Sequence, residues 1–186
     1  LQNEILDRIR LVEASGALAV GVDIDSAGRA AMALPGQTVE PKTPAQLREL
    51  VKSTKLPFII KGVMTPDEAE MALQTGAAAI VVSNHGGRVL DHTPGVAAVL
   101  PEVAKKVKGK MVVFADGGIR YGADVLKLLA LGADAVLLGR PLIRGAFGGG
   151  KDGVALLLNK MKNELVVSMT LTGTASVQNV SPKILV

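Results

Sequence analysis

The chain has no cysteine and no tryptophan, and its 186 residues include only one tyrosine and three phenylalanines. Without thiols, disulfides and thiolate catalysis are excluded, and a cytoplasmic location is the expectation. So few aromatics, with no long basic run, argue against nucleic acid as a partner despite a formal net charge of +4. No apolar run approaches the ~18 residues that a membrane span needs. Leu1 to Glu4 carry neither a basic region nor a cleavage-like pattern, so no signal peptide is expected. A start without methionine points to processing, truncation or excision. Histidine is scarce as well: there are only His85 and His92.

What is present is a globular composition. Hydrophobic residues make up 48% and the mean hydropathy is +0.36. That suffices for one domain over residues 1–186 with a core of its own. The surplus of positive charge is either a solvated surface or a preference for phosphorylated or carboxylate ligands.

Helical and strand patterns alternate along the chain. Ile5, Leu6, Ile9 and Val12 recur at helical spacing between Glu4 and Glu13, and Ala17 to Asp23 reads as a buried strand ending in a carboxylate. Ile24 to Pro41 is loop-like. Thr43-Pro44 opens a helix with a cap and a proline at its first position. Leu56 to Gly62 is a strand carrying Lys61 near its end. Thr65-Pro66-Asp67-Glu68 is a capping box, and its helix runs to Gly76. Ala77 to Val82 is the next strand, followed by a helix over Gly95 to Val107 that contains Pro101. Lys110 to Gly118 is a strand and a glycine turn, Tyr121 to Leu131 a helix, and Ala133 to Pro141 the last strand. A glycine-rich loop, Gly145 to Gly153, then precedes a helix from about Val154 to Thr172.

Short, wholly apolar strands alternating with helices predict a parallel sheet covered by helices. Gly16-Ala17, Gly76-Ala77 and Gly132-Ala133 each precede an apolar strand, a weak internal repeat. The pattern favours a TIM (β/α)8-type barrel over a doubly wound open sheet. Only five strands are counted, so the expectation is a partial barrel of about five βα units.

Polar residues gather at the strand C-termini, where both folds place their chemistry. His85 follows the strand ending at Val82 and reads as a general base or as a structural hydrogen-bond partner. Asp23, from another strand end, is a candidate to hold one ring nitrogen. Arg88 is a carboxylate clamp or a surface arginine. Lys61 is a salt-bridge partner or a cation beside a cofactor. Asp116-Gly117-Gly118-Ile119-Arg120 and Gly139-Arg140-Pro141 each pair glycine backbone with an arginine, and together they read as a phosphate cradle. Asp91, His92 and Tyr121 read as structural.

Ile60-Lys61-Gly62-Val63, Ser83-Asn84-His85-Gly86-Gly87-Arg88 with Leu90-Asp91, Asp116 to Arg120 and Gly139-Arg140-Pro141 resemble the FMN-dependent α-hydroxy-acid oxidase and dehydrogenase family. Val22-Asp23, Gly28-Arg29 and Leu171-Thr172-Gly173 match it more loosely. The resemblance spans residues 17 to 186 and corresponds to the C-terminal part of such a barrel. It implies FMN as cofactor and the oxidation of a small L-2-hydroxy acid, of lactate or glycolate type, to the 2-oxo acid. It implies His85 as the base, Arg88 as the substrate-carboxylate ligand and Asp23 as the acid paired to the histidine. Lys61, Ser83, Asp116, Gly117, Gly118, Arg120, Gly139 and Arg140 are implied as flavin contacts. Arg29 is a loose match to a second substrate arginine, and Gly21 stands where many relatives carry threonine. Five strands leave two open edges, so a homo-oligomer or a complementary barrel fragment is an expected partner. A partial barrel that holds FMN without turnover is the alternative. A different phosphate-binding barrel, such as a flavin-dependent isomerase, is disfavoured by the Ser-Asn-His-Gly-Gly-Arg block.

Overall fold

The computed structural model describes residues 2–28 and 39–185. Its elements run α1 (Gln2–Ala14), β1 (Val20–Asp23), a 3-10 turn (Asp25–Gly28), α2 (Pro44–Lys52), β2 (Phe58–Val63), α3 (Pro66–Thr75), β3 (Ala79–Val82), α4 (Val96–Val107), β4 (Val112–Ala115), α5 (Gly122–Ala130), β5 (Ala135–Val136) and α6 (Arg140–Leu171). The five strands form one sheet in the order β1-β2-β3-β4-β5, and every pair is parallel. A doubly wound sheet reverses its strand order at a switch point. Strictly sequential order, with right-handed crossovers, winds in one direction and keeps the helices on one face. This is a barrel segment.

The helix starts are written in the sequence. Thr43 and Thr65 both close capping boxes, with Gln46 and Glu68 as partners, and each is followed by proline. The glycine ending α3, Gly76, takes φ +88°, which a side chain would resist.

Strand residues alternate between two faces. Phe58, Ile60, Ile80, Val82, Val113 and Ala115 point to the helices and join Leu50, Leu100, Val103 and Val107 in a single core. Ile60, Ile80, Leu100 and Val113 are wholly buried, each worth about 1.5–3 kcal/mol by transfer. The opposite face carries Ile59, Lys61, Ala79, Val81, Val112 and Phe114, and Val112 is 41% exposed. That is the face a closed barrel turns inward.

Three expectations are corrected. The first strand starts at Val20, and Leu18 is 91% exposed. The last strand is only Ala135–Val136, and Arg140 and Pro141 begin α6. The glycine stretch is not a loop before that helix: α6 runs through it and leaves helical geometry only at Gly149 and Gly150. Composition misleads here because two of the glycines, Gly145 and Gly153, serve close packing. A Cβ on Gly145 would lie 2.8 Å from the Gly153 carbonyl oxygen, so the two arms of the bent helix meet backbone to backbone. Gly122 does the same between α5 and α6, against the main chain of Met161 and Leu165. Arg29, and most of the expected loop from Ile24 to Pro41, lie outside the described residues.

Candidate functional site at the strand C-termini

The strand ends open into one cavity of about 240 Å³. Lys61, His85, Gly86, Arg88, Asp116, Gly117, Gly118, Arg120, Gly139 and Arg140 all line it. The residues expected to act on a substrate and those expected to hold a phosphate thus share one space. Ser83 does not line it. It lies beneath, fully buried, and its Oγ accepts the His85 backbone N–H at 3.0 Å. Asp23 is also absent from the lining.

His85 sits on a turn of unusual backbone. It has φ 56°, and Gly86 and Gly87 follow at 69° and 75°. Such a run is costly for a residue with a Cβ and needs external support. Ser83 Oγ supplies part of it. Asn84, to which the sequence alone gave no role, supplies more: its Oδ1 accepts from Gly87 N at 3.0 Å. Arg88 Nε donates to the His85 carbonyl at 2.9 Å, so the guanidinium is oriented by the loop that carries it. Among the described residues no bond to its two terminal amino groups is seen.

The carboxylate beside the histidine is not the expected one. His85 Nδ1 lies 3.3 Å from Asp25 Oδ1. Asp23 instead accepts from Lys61 Nζ at 2.6 Å. The carboxylate oxygens of Asp23 and Asp25 and a His85 ring nitrogen all fall within 4.8 Å of one another. The sequence does hold a signal for this: in Asp23-Ile24-Asp25 the acids stand two residues apart, which in extended chain places both on one side.

At the other end, Gly117 and Gly118 take φ +84° and +76°. Asp124, at the start of α5, binds the N–H groups of Arg120 and Tyr121, which fixes the turn. Gly139 caps α6 with no side-chain acceptor, leaving the positive end of that helix to a ligand. Neither Arg120 nor Arg140 has a carboxylate partner among the described residues. Asp116 Oδ1 is buried without a hydrogen-bond partner there.

Fold and cavity together define a parallel-barrel segment with a cation-lined cavity at the strand C-termini. The model of the FMN-dependent dehydrogenase family matches residues 10–186, and the chain belongs to that family. It is 50% identical over 139 residues to a 2-hydroxyacid oxidase of Dictyostelium discoideum, covering 75% of this chain and 36% of that protein. It is 43% identical over 150 residues to an L-lactate oxidase of Roseobacter sp. (strain GAI101), covering 81% and 40%. A crystal structure of mandelate oxidase with (S)-2-phenylpropionate superposes with a TM-score of 0.88 at 36% identity, covering 98% of this chain and 59% of that one. The chain therefore spans well under two thirds of these relatives.

The cofactor of the family is FMN, and the residues present fit it. The buried, unpartnered Asp116 oxygen is an acceptor suited to a ribityl hydroxyl. The unpaired arginines and the uncapped helix end suit a phosphate. The Lys61 ammonium adds a cation to the same cavity, of the kind that would suit the negative charge of a reduced flavin.

Proposed function

We propose that this chain forms the catalytic end of an FMN-dependent enzyme that oxidises a small L-2-hydroxy acid, of lactate or glycolate type, to the 2-oxo acid. When bound, FMN supplies the two-electron acceptor. Arg88 binds the substrate carboxylate through its two free amino groups, and the hold of its Nε on the His85 carbonyl keeps clamp and base in register. His85 takes a proton from the substrate at Nε2, the ring nitrogen that no described residue bonds. Lys61, held by Asp23, places a positive charge where electron density accumulates. Asp116 accepts from the ribityl chain, and Arg120, Arg140 and the backbone around Gly117, Gly118 and Gly139 hold the phosphate. The single observation that carries this reading is the convergence of imidazole, ammonium and three guanidinium groups on one cavity.

The inner sheet face bears Val112 and Phe114 partly open to solvent, and the relatives are longer. The working form on this reading is a completed barrel, with further βα units from the same protein, a second copy or a complementary fragment. The test is anaerobic: the completed, FMN-loaded barrel is mixed with L-lactate or glycolate and the flavin absorbance followed. Bleaching by the L-acids and not by D-lactate is expected. A flavin that stays oxidised with every small 2-hydroxy acid would refute the assignment.

A further inference from the structure

We infer that Asn84 is a positioning residue for Arg88: its side-chain amide ties down the turn on which the arginine stands and so fixes where the guanidinium meets a substrate carboxylate. Asn84 is not part of the cavity lining, whereas His85, Gly86 and Arg88 are. It acts on a substrate only through the residues it holds. Its two side-chain bonds run to partners of opposite polarity. The Gly87 N–H only donates, and Asn84 Oδ1 accepts it at 3.0 Å. The Pro94 carbonyl only accepts, and Asn84 Nδ2 donates to it at 3.4 Å. That pair of partners fixes the orientation of the amide. It also accounts for the residue type, since aspartate lacks the donor and alanine lacks both groups.

The segment from Asn84 to Pro94 needs such a hold. His85, Gly86 and Gly87 are successive left-handed residues, and two glycines in a row leave an unheld chain wide conformational freedom. Three side chains fix three successive peptide units. Ser83 Oγ accepts the N–H of His85, Arg88 Nε donates to the His85 carbonyl, and Asn84 Oδ1 accepts the N–H of Gly87. The Gly87 N–H also reaches the Asn84 backbone carbonyl at 3.0 Å, so one residue closes the turn with main chain and side chain together. Gly87 directly precedes Arg88, and its orientation sets the course of the arginine's backbone. The far end is anchored by the bond to Pro94, two residues before α4, whose first residue Val96 is buried. Among the described residues no other hydrogen bond joins the two ends of this segment. Asn84 Oδ1 and Val96 Cγ2 both lie 4.0 Å from where a Cβ on Gly117 would stand. The amide is therefore packed between the histidine turn, the start of α4 and the glycine turn after β4.

The inference rests on the reading of Arg88 as a carboxylate clamp. It is tested on the completed, FMN-loaded barrel by titrating pyruvate, the 2-oxo acid that lactate would give, and following the flavin absorbance, so that binding is read without turnover. Loss of an ordinary hydrogen bond corresponds to roughly 2- to 10-fold, so Asn84→Ala, which loses two, should weaken pyruvate binding by about tenfold and leave FMN affinity within about twofold. The decisive readout is the combination with Arg88→Ala. If Asn84 acts through the arginine, the double variant binds pyruvate as Arg88→Ala alone does. A role confined to stability would lower the melting temperature and leave pyruvate affinity unchanged. Additive losses in the double variant, or unchanged pyruvate affinity in Asn84→Ala, overturn the inference. If Asn84→Ala does not fold, Asn84→Ser, which offers Gly87 a weaker acceptor and is too short to reach Pro94, replaces it with the same outcomes. Flavin reduction by L-lactate separates the two claims. A protein that binds pyruvate through Arg88 and Asn84 yet is reduced by no 2-hydroxy acid refutes the oxidation and leaves the hold. One that L-lactate reduces, with pyruvate affinity indifferent to Asn84, does the reverse. No pyruvate binding in the unsubstituted barrel overturns the clamp and this inference with it.

Discussion

The two ends of the cavity are built on opposite plans. At the tips of β1 to β3 two groups are paired with carboxylates, Lys61 with Asp23 and His85 with Asp25, while the Arg88 guanidinium is oriented by the His85 carbonyl. Beyond β4 and β5 neither Arg120 nor Arg140 has a carboxylate partner among the described residues, Arg120 bonding the Ile119 carbonyl, and the shaping is done by backbone, through Gly117, Gly118 and the start of α6. A self-balanced cluster gains little from capturing an ion but holds its groups in fixed orientation. An unbalanced cradle is a binding site awaiting an anion. On the proposed function, affinity and reactivity belong to different ends, so substitutions should separate them.

The largest separation is expected at the first end. His85→Ala should slow reduction of bound flavin by substrate by about 10²–10⁴-fold, the usual worth of a general base, while FMN affinity is retained. Stopped-flow reduction beside a fluorescence titration would check it, and parallel losses would break the division. Arg140→Ala attacks the other end. A charge-assisted hydrogen bond is worth about 1.5–3 kcal/mol, so FMN affinity should fall by roughly 10- to 100-fold, with riboflavin affinity unmoved. Gly86→Ala tests the seam between the ends. Gly86 has φ +69°, and an added Cβ would lie 2.8 Å from Arg140 Nη2. The left-handed strain alone is about 1–2 kcal/mol, so a lower melting temperature and weaker FMN binding should appear together. The smallest effect lies outside the cavity and serves as its control. Glu13 is held below the usual glutamate range by the Lys55 backbone N–H and then by the Thr54 hydroxyl. Its contribution is present above the unfolded-state pKa and is lost as pH falls through the lowered folded value. Glu13→Gln should therefore cost a little thermal stability at neutral pH and nothing in strong acid, with FMN binding unaffected in melts and titrations alike.

Much of this arrangement was legible in the sequence, for local reasons. An apolar run that ends in a polar residue reports a strand tip, and the rule placed Lys61, His85 and Asp116, whereas Arg140 begins α6. Capping boxes at Thr43 and Thr65 are equally local. What was not legible depended on packing between distant segments. The contact of Asp25 with His85 lies beside the Gly62 bulge, which appears only once β2 has slipped against β3. The glycines from Gly145 to Gly153 imitate a loop in composition, while Gly145 and Gly153 serve the close meeting of two helix arms. Ser83 carries the right residue type for a ligand contact, yet it is fully buried and its Oγ accepts the His85 backbone N–H.

The most direct test of the cavity as the site of one flavin nucleotide is a paired fluorescence titration of the chain with FMN and with riboflavin. The account predicts that FMN binds and is quenched while riboflavin, lacking the phosphate, binds at least tenfold more weakly. Equal affinity for both, or no binding of either, would contradict it.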